Sequence, residues 1–197
     1  MKKILIAYAS NVGSTAEIAQ SIANDLITEN TQVDVRDIRE AGDLKAYDAV
    51  ILGAPMMMGL HPGMLKYIQA HQKILADKPV ACFITALRLT DTGETHIQDT
   101  AIFKDEQLAN PPRDQHRLSF KERRTSIHAY LESIFSIIPN FKPVSISFMG
   151  GALNLRKLKW LQFLIVTLLF QFKSTDRRNW NAIHTWSKKL PDLLHTT

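Results

Sequence analysis

The sequence predicts an α/β protein built on a doubly wound, five-stranded parallel sheet with the strand order 2-1-3-4-5. Apolar runs alternate along the chain with helical patterns, which is typical of parallel sheets with crossover helices. The runs at 3–9, 48–54 and 79–85 are almost continuously apolar, as expected of strands that are covered on both faces. The run at 32–37 alternates polar and apolar residues, which indicates a half-exposed edge strand. One edge strand followed by buried strands fits this strand order.

Two helices and a last strand complete the predicted unit. A helix from about 14 to 28 repeats apolar residues every three or four positions, and a second helix follows Pro62-Gly63. The apolar run at 144–149 predicts the fifth strand. Because 197 residues are enough to bury one continuous core, we expect 1–197 to form a single domain.

Two segments do not follow this regular pattern. At 91–124, loop-forming residues surround short apolar patches, which predicts an insertion after the fourth strand. We expect the insertion to end in one helix from about 120 to 137, with an apolar face that packs on the sheet. The segment 155–173 predicts an extra apolar, amphipathic helix after the fifth strand.

The loop after the first strand carries the strongest functional signal. The segment 10–15 (SNVGST) connects a buried strand to a helix, so backbone N–H groups and hydroxyls surround one point. Gly13 allows the turn to pass close to an anion. The segment contains no Lys or Arg, which indicates a cradle that works through hydrogen bonds and the helix dipole. The sequence therefore predicts a phosphate site, with an ordinary helix cap as the alternative.

Other phosphate-binding loops do not fit this segment. It lacks the Gly-Lys-Ser/Thr ending of the nucleoside triphosphate loop and the three glycines of the dinucleotide fingerprint. A receiver domain would need an Asp at the end of the third strand, and this strand has none. A phosphatase loop would need a Cys, and the segment 10–15 contains none. The residues 8–17 (YASNVGSTAE) resemble the phosphate loop of flavodoxins, although Val12 replaces the usual hydroxyl. That resemblance implies a flavodoxin-like fold and FMN as the cofactor.

Three loops are expected to build the cofactor site, because ligands of this topology lie outside the carboxyl ends of strands one, three and four. Methionines of the second loop would either form a polarizable wall for the flavin ring or pack on the core, and Arg88 would face the ligand or the solvent. No acid or base is predicted, since the flavin carries the chemistry. The predicted cofactor-binding residues are Ser10, Asn11, Val12, Gly13, Ser14, Thr15, Pro55, Met56, Met57, Met58, Gly59, Thr85, Ala86, Leu87 and Arg88.

Composition restricts the class of protein further. The chain contains one cysteine, which excludes a disulfide framework and fits a reducing cytosol; we expect Cys82 to be a small buried hydrophobe. The seven histidines show no ligand spacing, so no metal site is predicted. The N-terminus has no signal-peptide pattern, and we therefore expect a cytoplasmic protein.

The segment 155–173 also predicts contact with an anionic membrane surface. Its apolar stretch between Lys159 and Lys173 has 13 residues, whereas a helix needs roughly 20 to span a bilayer. Residues 113–178 carry twelve Lys or Arg and four Asp or Glu, although the whole chain carries only +5. Basic residues beside an apolar helix favour anionic lipid over nucleic acid. A core or dimer helix is the alternative, and the oligomeric state is not predicted.

The last third of the chain resembles a narrower family. The stretches 148–158 (FMGGALNLRKL) and 176–186 (DRRNWNAIHTW) are similar to flavodoxin-domain proteins related to menaquinone-dependent protoporphyrinogen IX oxidase. The resemblance covers about 1–90 and 143–190. It implies an oxidoreductase of porphyrin biosynthesis on the inner face of the cell membrane, which passes two electrons from a reduced substrate, such as protoporphyrinogen IX, to a quinone. A flavodoxin-type electron carrier and an NAD(P)H:quinone reductase stay open as alternatives.

Overall fold

Strands and helices alternate along the first half of the chain, as its hydrophobic pattern predicts. The computed structural model describes residues 1–11, 13–56, 59–138, 141–153 and 175–195. In chain order the elements are β1 (Lys2–Tyr8), α1 (Ser14–Leu26), β2 (Thr31–Asp37), a short 3₁₀ helix (Leu44–Ala46), β3 (Ala49–Pro55), α2 (Pro62–Ala76), β4 (Val80–Ala86), β5 (Leu89–Thr90), β6 (His96–Ile97), β7 (Thr100–Lys104), β8 (Ala109–Asn110), α3 (Phe120–Arg124), α4 (Ile127–Ile137), β9 (Ser145–Gly150), β10 (Ala152–Leu153), β11 (Thr175–Asp176), α5 (Trp180–Ser187) and α6 (Leu190–His195).

The main sheet confirms the predicted fold class. In the described part of the chain its order is β2-β1-β3-β4-β9-β7-β6, and the first five of these strands are parallel. They reproduce the order 2-1-3-4-5, with β9 as the fifth strand. The strands β3, β4 and β9 are almost wholly buried, whereas β2 is half-exposed at the edge. Continuous apolar runs form the centre because helices cover both faces there.

Two core layers hold the helices on the sheet. On one face, α1, α5 and α6 pack over residues such as Ile6, Ile51 and Phe83, and the indole N–H of the buried Trp186 donates to Ser145 Oγ at 3.0 Å. On the other face, α2 and α4 pack over alternate residues of the same strands. This packing holds the sheet between two layers of helices, and it therefore fixes the positions of the loops at the carboxyl ends of the strands.

The insertion widens the sheet, whereas the sequence predicts only five strands. Strand β7 adds parallel to β9, and β6 adds antiparallel to β7. The hydroxyl of Thr100 also donates to the carbonyl of Pro143 at 2.9 Å, which anchors the start of β7. These strands have five and two residues, and their short, partly polar sequences carry too little periodicity to be recognised.

The single helix predicted from 120 to 137 is wrong, because the chain forms two helices there. Helix α3 ends at Arg124, and Ser126 caps the start of α4, since its Oγ accepts from the N–H of Ala129 at 3.3 Å. The carbonyl of Thr125 accepts from the N–H of Thr90 at 2.8 Å instead of continuing a helix. Side-chain capping and a tertiary contact therefore override the helical periodicity.

The predicted apolar helix at 155–173 lies outside the described residues, as do Val12, Met57 and Met58. Among the described helices, none combines the length and the hydropathy that are needed to cross a membrane.

Candidate cofactor site

The loop between β1 and α1 has the backbone geometry of an anion cradle. Gly13 adopts a φ of 98°, in the left-handed region, and its N–H donates to Ser10 Oγ at 2.9 Å. Helix α1 begins at Ser14, and no side-chain hydrogen bond caps this end. The first N–H groups of a helix have no partner within the helix. Those of 14–16 are therefore the donors that this loop offers to an anion.

Buried hydroxyls connect the cradle to the end of β4. The hydroxyl oxygens of Thr15 and Thr85 lie 3.2 Å apart and are hydrogen-bonded, and the two residues are only 1% and 3% exposed. The N–H of Met56 donates to the carbonyl of Thr85 at 2.8 Å, which ties in the end of β3 as well. The structure therefore brings together the three loops that the sequence predicts.

A pocket opens between these loops at the carboxyl edge of the sheet. None of the described residues that line it carries a charged side chain, so a bound anion would meet N–H groups, hydroxyls and the helix dipole there. The apolar part of the lining suits a flat aromatic ligand. The lining residues are Asn11, Ser14, Thr15, Pro55, Met56, Thr85, Ala86, Leu87, Gly151, Ala152 and Leu153.

The fourth wall of the pocket, from Gly151 to Leu153, is absent from the sequence-based prediction. The N–H of Gly151 donates to the carbonyl of Ala86 at 2.8 Å, and a Cβ at Gly151 would lie 3.4 Å from the Cβ of Thr85. The signal was present in the sequence, since two glycines follow the fifth strand. That strand is the neighbour of the fourth in the predicted order, so its carboxyl end also faces the site.

The described residues of the loop after β3 include one wall of the pocket and a helix cap. Met56 is 3% exposed, and it both packs in the core and lines the pocket, while Gly59 is exposed. The imidazole Nδ1 of His61 accepts from the N–H of Gly63 at 3.1 Å and caps α2. Burial lowers the pKa of His61, which favours the neutral imidazole that this cap requires.

Arg88 lies outside the pocket lining. Its side chain is exposed, and its carbonyl accepts from the Tyr130 hydroxyl at 2.7 Å. This bond fixes the backbone that leaves the pocket wall at Leu87. Ser10 and Gly13 also lie outside the pocket lining, and the hydrogen bond between them shapes the cradle.

An ionic brace joins the fourth wall to the cradle helix. Strand β11 pairs with β10, which belongs to the wall, and the N–H of Arg177 donates to the carbonyl of Gly151 at 3.0 Å. The next residue, Arg178, binds Asp176 and also Glu17 in the first turn of α1. Hydrogen bonds to these carboxylates raise the pKa of the Arg178 guanidinium. No sequence pattern predicts this brace, because Arg178 and Glu17 are 161 residues apart.

Cys82 lies inside β4, where burial raises the pKa of its thiol to about 12. The thiol is therefore protonated at neutral pH and unreactive. Across the described residues, no group of three or more His, Cys, Asp or Glu side chains is placed to hold a metal ion.

The chemistry of the pocket fits FMN. Uncapped helical N–H groups and the hydroxyls of Ser14 and Thr15 match a phosphate. The uncharged wall formed by Pro55, Met56 and Leu87 matches a flat ring.

Comparison with known proteins agrees with this geometry. A family model described as a flavodoxin domain matches residues 5–179. Protoporphyrinogen IX dehydrogenase (quinone) from Escherichia coli is 21% identical, over 97% of this chain and 96% of the relative. Among solved structures, a flavodoxin from Pseudomonas aeruginosa covers 98% of both chains with 12% identity and a TM-score of 0.50, which supports the fold alone. Flavodoxin 2 from Bacillus cereus is 35% identical with a TM-score of 0.39, but the match spans only 43% of this chain and 61% of that flavodoxin.

Proposed function

The chain belongs to the flavodoxin domain family, and on this premise we propose that it is an FMN-dependent oxidoreductase that passes two electrons from a reduced small-molecule substrate to a membrane quinone. The observation that carries the proposal is the uncapped start of α1, which faces an uncharged pocket at the carboxyl edge of the sheet. FMN, when bound, supplies a ring that accepts two electrons and returns them.

The residues of the pocket have separate roles in this proposal. The N–H groups of 14–16 and the hydroxyls of Ser14 and Thr15 hold the phosphate. The bond between Thr15 and Thr85 keeps the cradle in register with β4. Pro55, Met56 and Leu87 exclude water from the ring, and backbone groups of the same loops adjust its electron affinity.

The quinone and the substrate are inferred from similarity over nearly the whole chain. The Escherichia coli relative is named as a protoporphyrinogen IX dehydrogenase that uses a quinone, and the match covers 97% of this chain. We therefore propose a porphyrinogen as the reduced substrate. The substrate is tested separately from the acceptor.

We further propose that the protein is cytoplasmic and peripheral on the inner face of the cell membrane, where a lipid-soluble quinone is found. The 155–173 helix, which supports this position in the sequence, stays a prediction because it lies outside the described residues.

The acceptor is tested by stopped-flow reoxidation of the reduced protein. We expect menaquinone and ubiquinone analogues to reoxidise it much faster than cytochrome c, with little dependence on salt. A flavodoxin-type carrier would show the opposite preference, with rates that fall steeply as ionic strength rises. Reduction trials with protoporphyrinogen IX, NADH and NADPH then identify the donor, and rapid reduction by a nicotinamide alone would indicate an NAD(P)H:quinone reductase.

A further inference from the structure

The insertion exposes a basic surface with one aromatic side chain. Residues 113–124 carry five Lys or Arg and two Asp or Glu. Phe120 is 68% exposed, and the Arg124 guanidinium carbon lies 5.5 Å from its ring centroid. We call the exposed residues of this surface the insertion patch: Arg113, Arg117, Phe120, Lys121, Arg123 and Arg124.

The acidic residues of this segment hold its backbone. The Glu122 carboxylate accepts from the N–H of Arg113 at 2.9 Å and from the N–H of Ser119 at 2.8 Å. Hydrogen bonds from the Ser119 side chain and from these two N–H groups lower the pKa of Glu122 to about 2. Asp114 accepts from the N–H of His116 at 2.8 Å. Glu122 therefore fixes the loop 113–119 against α3, so the patch is an ordered surface.

Both ends of the patch segment are anchored beside the cofactor site. The N–H of Asp91 donates to the carbonyl of Asn110, and the N–H of Thr90 donates to the carbonyl of Thr125, each at 2.8 Å. Strand β5, which includes Thr90, also pairs with β8. Leu87 lines the pocket, and three residues span at most about 11 Å. The patch segment therefore begins and ends beside the chain that leaves the pocket wall, at the carboxyl end of β4.

We propose that the insertion patch docks the carboxyl edge of the sheet onto an anionic phospholipid bilayer. Cationic side chains meet lipid phosphates, and the exposed ring of Phe120 enters the headgroup boundary. Single-stranded nucleic acid is favoured less, because its binding grooves present several stacking rings and this segment holds one Phe, Tyr or Trp. The delivery of electrons to a quinone in that bilayer rests on the proposed function, whereas the binding to lipid does not.

Co-sedimentation of the full chain with vesicles tests the patch. The vesicles are phosphatidylcholine with or without phosphatidylglycerol. The patch variant is Arg117→Gln, Lys121→Gln and Arg124→Gln. The control variant is Lys3→Gln, Lys45→Gln and Lys73→Gln. It removes the same charge from exposed residues near the amino ends of the strands.

We expect the native protein to bind only vesicles with phosphatidylglycerol, and the patch variant to bind them about 100-fold more weakly. The control variant should lose no more than a few-fold. Phe120→Ser should weaken binding while leaving its salt dependence unchanged, because the charges remain. Equal vesicle binding by the two triple variants would overturn the proposal. It would also be overturned if the patch variant lost binding to a single-stranded oligonucleotide but bound vesicles as the native protein does.

Two further measurements separate this proposal from the proposed function. FMN content and reduction of a water-soluble quinone sulfonate should be the same in both triple variants and in the native protein. If the native protein does not reduce the quinone but binds vesicles through the patch, the proposed function fails and the docking surface stands. Circular dichroism confirms that each variant is folded.

Discussion

The Gly13→Val protein is expected to bind FMN about 100-fold more weakly than the native protein. Gly13 has a φ of 98°, in the left-handed region. A side chain there costs roughly 1–2 kcal/mol, and the cost is higher still for a β-branched residue. Relief of that strain would move the N–H donors of 14–16, and each hydrogen bond to a charged phosphate contributes roughly 1.5–3 kcal/mol. Fluorescence titration of the apoprotein with FMN measures the change.

Gly42→Val is the matched control for this prediction. Gly42 has a φ of +68°, and no atom lies within 4 Å of the position that a Cβ would take, so the substitution brings similar strain away from the pocket. We expect it to lower stability and to leave FMN affinity unchanged. Native affinity in both variants would show that the loop after β1 does not hold the phosphate.

A large loss of stability is expected for Gly150→Ala. A Cβ at Gly150 would lie 1.8 Å from the carbonyl oxygen of Arg177, which belongs to the backbone and cannot rotate away. The segment 175–179 has to move, and the pairing of β10 with β11 moves with it. Overpacking of this kind costs roughly 1–3 kcal/mol or more. We expect a lower urea midpoint and also weaker FMN binding, since β10 forms part of the pocket wall.

Gly151→Ala provides the comparison for that result. Its Cβ would make only an ordinary contact with Thr85, at 3.4 Å. Its urea midpoint should therefore stay close to that of the native protein. If Gly150→Ala unfolds at the native midpoint, Arg177 does not pack against Gly150 as the structure describes.

The fold was predictable because its determinants are local and repeated. The apolar runs of β3 and β4 are continuous, and the polar alternation of β2 marks the edge, so the strand order follows from burial. The shape of the loop after β1 was predictable for the same reason, since a strand, a glycine turn and a helix start lie within one short segment.

The remaining features depend on contacts between distant residues. Strand β7 pairs with the side of β9 that faces away from β4, and β6 pairs with β7. The sequences of β6 and β7 do not indicate this pairing. The break before α4 follows from the contact of Thr125 with Thr90, which competes with helical periodicity. The brace from Arg178 to Glu17 joins residues that are 161 positions apart in the sequence. Helical and strand patterns describe burial, and they do not encode such pairings.

The affinity of the apoprotein for FMN relative to riboflavin tests the central claim most directly. The two flavins share the ring, and they differ by the phosphate that the start of α1 is proposed to hold. Two charge-assisted hydrogen bonds at roughly 1.5 kcal/mol each correspond to about a 100-fold difference. We therefore expect FMN to bind at least about 100-fold more tightly than riboflavin in a fluorescence titration. Equal affinity for the two flavins, or no binding of either, would contradict a phosphate cradle at the carboxyl edge of the sheet.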